Sequence, residues 1–365
     1  MSITTPDPTF WAGKKVLVTG HTGFKGTWLS LWLERLGAQV SGLALDPSTD
    51  PSMYRLVGND DVVDSTIGDV TDAAVVAEVM ERVQPDVIFH LAAQVLVRRS
   101  YVDPIETITT NVVGTANVLN EARKVDGLQA IVVITSDKCY ENREWHWPYR
   151  EDEAMGGHDP YSASKGSAEL ITSSMRRSFF AEPDAALIGS ARAGNVIGGG
   201  DWSADRLIPD IVKAFAKGDE VVIRMPEAIR PWQHVLEPIS GYLVLGERLA
   251  NGDAIAADGW NFGPADEDAK PVGWMVEQMA KRWGEGAGFR IEPDGGPHEA
   301  RLLKLDTSKA NAELGWRRRM TLDQALEWVI DWYRAQVDGG DMRQLSIDQI
   351  AAYEALATKA TSVSD

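Results

Sequence analysis

Residues 14–19 (KKVLVT), with apolar Val16, Leu17 and Val18 at their centre, read as a buried strand, and a glycine turn follows directly. Beyond the turn the period changes. Trp28, Leu29, Trp32, Leu33 and Leu36 recur at helical spacing, and Gly37 stands where a helix C-cap glycine belongs. Further strands are predicted over 39–45, ending at Asp46, over 63–67, followed by Asp69, and over 86–91, 130–135 and 185–191. Helices are predicted over 72–83, 104–125 and 161–180. Apolar strands alternating with helices predict an α/β fold with a doubly wound parallel sheet.

After Asn195 the pattern becomes irregular and richer in Gly, Pro and Trp, as if the chain left the sheet to cover a substrate. Near the end, Thr321-Leu-Asp-Gln324 reads as a capping box before a helix to about Val337. Ser346-Ile-Asp-Gln349 reads as another before a last short helix, with a small, polar, frayed tail behind it.

Composition narrows the function. The 365 residues are 44% hydrophobic and 25% charged, an ordinary globular balance. A formal charge of −18 argues against nucleic acid as a partner. Cys139 is the one cysteine, which excludes an intrachain disulfide and a cysteine zinc site. The N-terminus lacks the apolar core of a signal peptide, and no apolar run approaches the ~20 residues that span a bilayer. These features predict a cytoplasmic protein with no membrane partner. The six histidines show no HxxxH or HxH spacing, so no metal is expected. The thirteen Trp are expected in core or pocket walls.

The turn after the first strand, Gly20-His21-Thr22-Gly23-Phe24-Lys25-Gly26, is GxxGxxG between a strand and a helix. Glycines there permit a tight turn and let backbone approach a pyrophosphate, while the helix N-terminus offers free N–H donors. Asp46 ends the second strand, where a carboxylate accepts both ribose hydroxyls and repels a 2′-phosphate, favouring NAD over NADP. Lys25 is a counter-signal, since a cation in the turn could serve NADP. Asp69 is a candidate for the adenine amino group. Phe24, Val70, Leu91, Ala92 and Ala93 complete the expected cofactor contacts.

Tyr161-Ser-Ala-Ser-Lys165 is YxxxK, and residues four apart share a helix face. The Lys165 ammonium is expected near the Tyr161 phenol, favouring its ionised form. A tyrosinate can then take the proton of a sugar hydroxyl as hydride leaves its carbon. Ser136, at the end of the fifth predicted strand, is expected to present its hydroxyl to the same oxygen.

With these motifs assembled, residues 14–335 resemble the extended short-chain dehydrogenases acting on nucleotide sugars. The resemblance is carried by HLAAQ at 90–94, NVVGT at 111–115, ITSDKCYENREWHW at 134–147, GGHDPYSASKGSAEL at 156–170 and ARAGNVIGGGDW at 191–202. It implies a Rossmann domain over 1–193, with a returning segment near 235–263. A smaller mixed domain for the nucleotide sugar would occupy 194–234 and 264–350, with 351–365 a frayed tail. The triplet Ser136-Asp137-Lys138 and the turn GHTGFKG resemble the CDP-glucose branch of the 4,6-dehydratases.

That resemblance implies hydride abstraction from C4 of glucose by NAD with Tyr161 as base, elimination of water across C5–C6, and hydride return to C6. Asp137 is then the acid for the departing C6 hydroxyl. Lys138 stands where related dehydratases carry the glutamate that removes the C5 proton. It could act only if neutral, with Lys165 lowering and Asp137 raising its pKa. Asn195, Arg230 and Arg301 match residues that hold the substrate diphosphate and nucleoside, and Gln94 with Arg98 is placed at the sugar pocket. His146 and the Trp145/Trp147 pair lie in a loop near the site without a role. A homodimer, or a dimer of dimers, is expected through helices 104–125 and 161–180. The alternatives are a 4-epimerase, a dehydratase of a dTDP-, UDP- or GDP-hexose, and a non-catalytic NAD-sensing protein.

Overall fold

The computed structural model describes residues 4–284, 287–292 and 301–361. The six predicted strands become β1 (Lys15–Thr19), β2 (Gln39–Ala44), β3 (Asp64–Ile67), β4 (Val87–His90), β5 (Ala130–Ile134) and β6 (Leu187–Ala193). A later strand, Gly259–Phe262, joins them in the order Gly259–Phe262, β6, β5, β4, β1, β2, β3. Every neighbouring pair is parallel. β1 pairs with β2 on one side and β4 on the other, so the chain order reverses there and leaves a crevice at the carboxyl ends of the strands.

Side chains alternate along each strand and feed two cores. Val16, Val18, Val87, Phe89 and Val132 pack on one face, beside the helices Phe24–Arg35 and Leu236–Ala250. Leu17, Leu43, Ile88, Ile131 and Val133 pack on the other, beside Ala73–Val83 and Gly114–Ala122. The helix Phe24–Arg35 is buried from Gly26 to Leu33 because the last helix, Met342–Thr361, covers its outer side. Trp32 Nε1 donates to Glu354 Oε1 at 2.9 Å, and Arg35 pairs with the same carboxylate at 3.0 Å. Trp11, Trp28, Trp32, Trp260, Trp316 and Trp332 are fully buried, as core tryptophans should be.

Beyond Ala193 three short two-stranded ladders and the helices Leu207–Ala216, Val272–Trp283 and Leu322–Val337 build the far wall of the crevice. Leu236–Ala250 and Gly259–Phe262 return to the sheet, the strand pairing with β6 from Gly259↔Ser190 to Phe262↔Ala193.

The expected helix at 104–125 is broken. Pro104–Ile108 runs into a π turn, Thr109–Val113, before Gly114–Ala122. The turn presents Asn111 to two neighbours: its amide oxygen accepts from Gln94 N and its amide nitrogen donates to Ser164 Oγ, both at 2.8 Å.

The capping box at Thr321 is present, but the one expected at Ser346 is not. The last helix starts at Met342, where Asp341 Oδ1 accepts from Gln344 N at 2.9 Å. Ser346 lies inside it, donating to Met342 O and accepting from Trp332 Nε1. The helix is therefore neither short nor followed by a frayed 351–365 tail. It continues to Thr361, with Ile350, Tyr353 and Ala357 buried, and residues 362–365 lie outside the described residues.

Candidate active site

A cleft of about 1070 Å³ lies along the carboxyl ends of the strands, between the sheet and the later wall. At one end the lining is backbone. Gly20 has φ of +76°, and a Cβ there would stand 2.8 Å from Ala92 N. A Cβ on Gly26 would overlap the Gly20 carbonyl, so this glycine seats the helix on the turn. Gly23 is different: its nearest such neighbour, Gly20 O, is at 3.4 Å, and its approach side faces the cleft. Gly23 also starts the helix Phe24–Arg35 without a side-chain cap, leaving the first-turn N–H groups directed at the cleft. Phe24, Asp46, Asp69, Val70, Leu91, Ala92 and Ala93 line the same end. Asp69 Oδ1 also accepts from Thr71 N at 2.8 Å, and the Leu91 and Ala92 amides donate to Thr19 Oγ1.

At the middle of the cleft the lining is titratable side chains. Strand β5 ends one residue before Thr135, and a single 3₁₀ turn, Asp137–Cys139, presents Ser136, Asp137 and Lys138. Opposite, Asp159 caps the helix Pro160–Phe179, which carries Tyr161 and Lys165 in its first two turns. Ser136 links the two pieces. Its hydroxyl donates to Asp137 Oδ1 at 2.9 Å, and on the other side it favours the ionised form of the Tyr161 phenol.

Burial pushes the Asp137 carboxyl above its ordinary value, against the pull of Lys138, Ser136, Lys25 and Arg230. Asp137 Oδ2 has no hydrogen-bond partner among the described residues. A Cβ on Gly194 would stand 2.9 Å from it, so glycine keeps that oxygen open. Burial likewise pushes the Tyr161 phenol up to about 12, against Ser136 and Arg206.

Tyr161 and Lys165 both line the cleft; Arg206 favours the ionised form of the phenol, and Glu169 favours the charge on Lys165. Burial brings Lys165 down to about 8. Lys25, read above as a possible phosphate ligand, acts toward the middle of the cleft. Burial, Arg206 and Lys165 lower it to about 7, and Asp137 and Asp201 oppose them.

The far end holds Asn195, Arg230 and Arg301. Arg230 is buried, with Nη1 donating to Ile229 O at 3.0 Å, while Arg301 is exposed. Gln94 is not brought to the cleft. Its amide is consumed locally, donating to Leu96 O at 3.0 Å and Thr107 Oγ1 at 2.8 Å and accepting from Leu96 N at 2.5 Å. Arg98 does line the cleft, 3.8 Å from Asp205 across it. In the loop after the 3₁₀ turn, Glu144 reaches the cleft, whereas Trp145, His146 and Trp147 do not. Trp145 instead stacks on Tyr149.

Arg206 and Arg224 are cleft residues that no sequence motif marked, and Asp201, inside the 191–202 stretch, was given no role there. Asp201 Oδ2 accepts from Arg206 Nη1 at 3.0 Å, a pairing whose one sequence trace is a charged couple in an otherwise irregular stretch. Among the described residues no group of three or more His, Cys, Asp or Glu could hold a metal ion.

Comparison with known proteins places this geometry. Residues 17–329 match the model of a family described as GDP-mannose 4,6-dehydratase. The chain is 51% identical over 357 residues to CDP-glucose 4,6-dehydratase of Salmonella typhimurium, covering 97% of this chain and 99% of that one. It is 28% identical to dTDP-glucose 4,6-dehydratase of Streptomyces antibioticus over 337 residues, 87% of this chain and 92% of the other. Among solved structures, an epimerase of Methanothermobacter thermautotrophicus superposes with a TM-score of 0.79 at 23% identity, covering 91% and 96% of the two chains. A double mutant of dTDP-glucose 4,6-dehydratase from Streptomyces venezuelae, solved with NAD bound, superposes with a TM-score of 0.72 at 23% identity, covering 89% and 98%.

Proposed function

The chain belongs to the GDP-mannose 4,6-dehydratase family, and from that premise we propose that it dehydrates CDP-D-glucose to the 4-keto-6-deoxy sugar nucleotide, with NAD as resident cofactor. The observation that carries the reading is the convergence of buried Tyr161, Ser136 and Asp137 on one cleft, with Ser136 Oγ donating to Asp137 Oδ1 at 2.9 Å, which sets an oxidation base beside a buried acid. An epimerase needs the first and has no use for the second.

The residues present suit NAD. The uncapped helix start at Gly23 offers N–H donors for a pyrophosphate, and Asp46 offers a carboxylate for ribose hydroxyls. Bound there, NAD supplies reversible hydride acceptance at a positively charged ring. Tyr161 Oη receives the proton of the C4 hydroxyl, with Ser136 Oγ hydrogen-bonded beside it. The 4-ketone acidifies the C5 hydrogen, and Lys138 is the candidate to remove it. Asp137 Oδ2 gives its proton to the C6 hydroxyl, which leaves as water. A carboxyl held above its ordinary value by burial keeps its proton more readily than an exposed one. The hydrogen withdrawn from C4 ends on C6, and C5 regains a proton. Arg230, Arg301 and Asn195 hold the diphosphate and nucleoside, guanidinium forks suiting phosphate oxygens.

CDP as the nucleotide is supported by the 51% identical relative. Turnover of CDP-, dTDP-, UDP- and GDP-glucose, read as keto product absorbing in alkali, tests it: CDP-glucose should be fastest, and a faster rival displaces it. The working unit is a homodimer or dimer of dimers. Val102, Ile105, Ile108, Leu170 and Phe179 support this, forming exposed apolar positions on the outer helices beside the sheet. No helix among the described residues is long and apolar enough to cross a membrane. A reducing cytoplasm suits the one buried thiol, Cys139.

A further inference from the structure

Glu169 is a carboxylate that the proposed reaction does not use, yet it is 5% exposed and accepts four hydrogen bonds. Oε1 accepts from Thr135 Oγ1 and from Arg192 Nε at 3.0 Å. Oε2 accepts from Ser190 Oγ at 2.7 Å and from Arg192 Nη2 at 2.9 Å. We propose that Glu169 is a positioning residue for the dehydration, bracketing the Ser136–Cys139 turn against the tyrosine helix and setting a carboxylate one helical turn from Lys165. The proposal rests on the functional reading above.

The bracket follows from the connectivity. Thr135 directly precedes Ser136 and is held by Glu169 itself. Tyr140 directly follows Cys139, and its phenol accepts from Arg192 Nη1 at 2.8 Å while donating to Asn261 Oδ1 at 2.7 Å. Both ends of the catalytic turn are thereby tied through one ion pair to the helix carrying Tyr161 and Lys165. Arg192 Nη1 also donates to Glu151 O at 2.9 Å, and Asn261 Nδ2 to Tyr149 O and Asp306 O. Stability alone does not call for such a pair, because a buried ion pair recovers little more than its own desolvation and apolar residues of similar volume often serve as well.

The charge argument concerns what surrounds Lys165. Glu169 faces it from one turn along its own helix, and Cys139 from the 3₁₀ turn. His90 faces it from β4 and Lys25 from the glycine-turn helix. Burial lowers His90 to about 3, so it is neutral, and raises the Cys139 thiol, so it is neutral as well. Burial works against the Glu169 charge too, but Arg192 and the Thr135 and Ser190 hydroxyls overcome it and hold the carboxyl below its ordinary value. Glu169 is thus an ionised carboxylate countering the burial that brings Lys165 down to about 8. Without that charge Lys165 loses its proton at lower pH.

The test reads Lys165 directly. Acetic anhydride labelling of Lys165 against pH, followed by peptide mass spectrometry, gives its titration without any turnover. In Glu169→Gln the half-labelling pH should fall by roughly one unit, a tenfold weaker proton affinity. The alkaline limb of kcat should move acidward with it, and KM for CDP-glucose should hold. Glu169→Asp keeps the charge on a shorter arm, so the labelling curve should stay while kcat falls. Where Glu169→Gln does not fold, the pair Glu169→Gln with Arg192→Met removes the ion pair as a unit, and the same acidward shift is expected. A Lys165 curve unmoved by loss of the carboxylate, or moved equally in Glu169→Asp, overturns the proposal. A wild-type enzyme that leaves CDP-glucose untouched contradicts the functional reading instead, and the labelling curves still decide the Glu169 question.

Discussion

The glycine turn and the tyrosine helix face the same cleft and are made of different material. At the turn the site is backbone: Gly20 bends it, Gly26 seats the helix, and Gly23 leaves an uncapped helix start facing the crevice. Around the tyrosine helix the site is buried titratable groups. Ser136, Asp137, Tyr161 and Lys165 act within a field set by Lys25, Glu169, Arg192 and Arg206. A backbone site is specified by residues adjacent in sequence, so changes in it should act on binding and folding. A side-chain site is specified by residues converging from the whole sheet, so changes in it should act on rate.

Substitutions can break that division. The largest effect is expected for Tyr161→Phe, which should lower kcat at least ~10²-fold, the worth of a positioned general base, with NAD affinity by titration unchanged. Near wild-type turnover would remove Tyr161 from the chemistry. Arg230→Ala should come next. Losing charge-assisted hydrogen bonds of about 1.5–3 kcal/mol should raise KM for CDP-glucose roughly 10- to 100-fold, whereas a fall in NAD affinity instead would put Arg230 at the other end of the cleft.

At the backbone end, Gly26→Ala should cost about 1–3 kcal/mol of folding stability from overpacking and lower Tm. Gly23→Ala, with no protein atom in its way, should leave Tm alone and weaken NAD. If both variants behaved alike in melting and titration, the two glycines would not have the separate roles assigned here. The smallest effect is expected for Asp46→Ala, a roughly tenfold weaker NAD with a narrower gap to NADP, on the scale of one charged hydrogen bond. Equal NAD and NADP affinities in the wild-type protein would contradict that role for Asp46.

The same division explains what could be read from the chain alone. Strand periodicity and glycine spacing are local, and β1 to β5 fall within a residue of their predicted ends, while β6 is shifted by two. The break at Thr109–Val113 was hidden because Asn111 answers to Gln94 and Ser164, distant in sequence. Ser346-Ile-Asp-Gln349 has the letters of a capping box, but Trp332 from another helix takes the serine into the core. Tyr161 and Lys165 were legible as a helical pair, and their electrostatic partners were not. Arg206, held by Asp201, acts on the phenol's charge from far along the chain, and Glu169 acts on the charge of Lys165 from one turn along the helix. Gln94 illustrates the reverse case, a polar residue behind a strand that spends its amide on its own loop.

The central claim is that oxidation and elimination occur at one set of side chains, with the hydrogen from C4 ending on C6. CDP-glucose deuterated at C4 tests this most directly, with product examined by NMR and mass spectrometry. Deuterium at C6 of a 4-keto-6-deoxy product, and in heavy water one solvent deuteron at C5, is the predicted result. Stoichiometric free NADH, or product without label at C6, would make the enzyme a simple dehydrogenase or epimerase and contradict the dehydratase account.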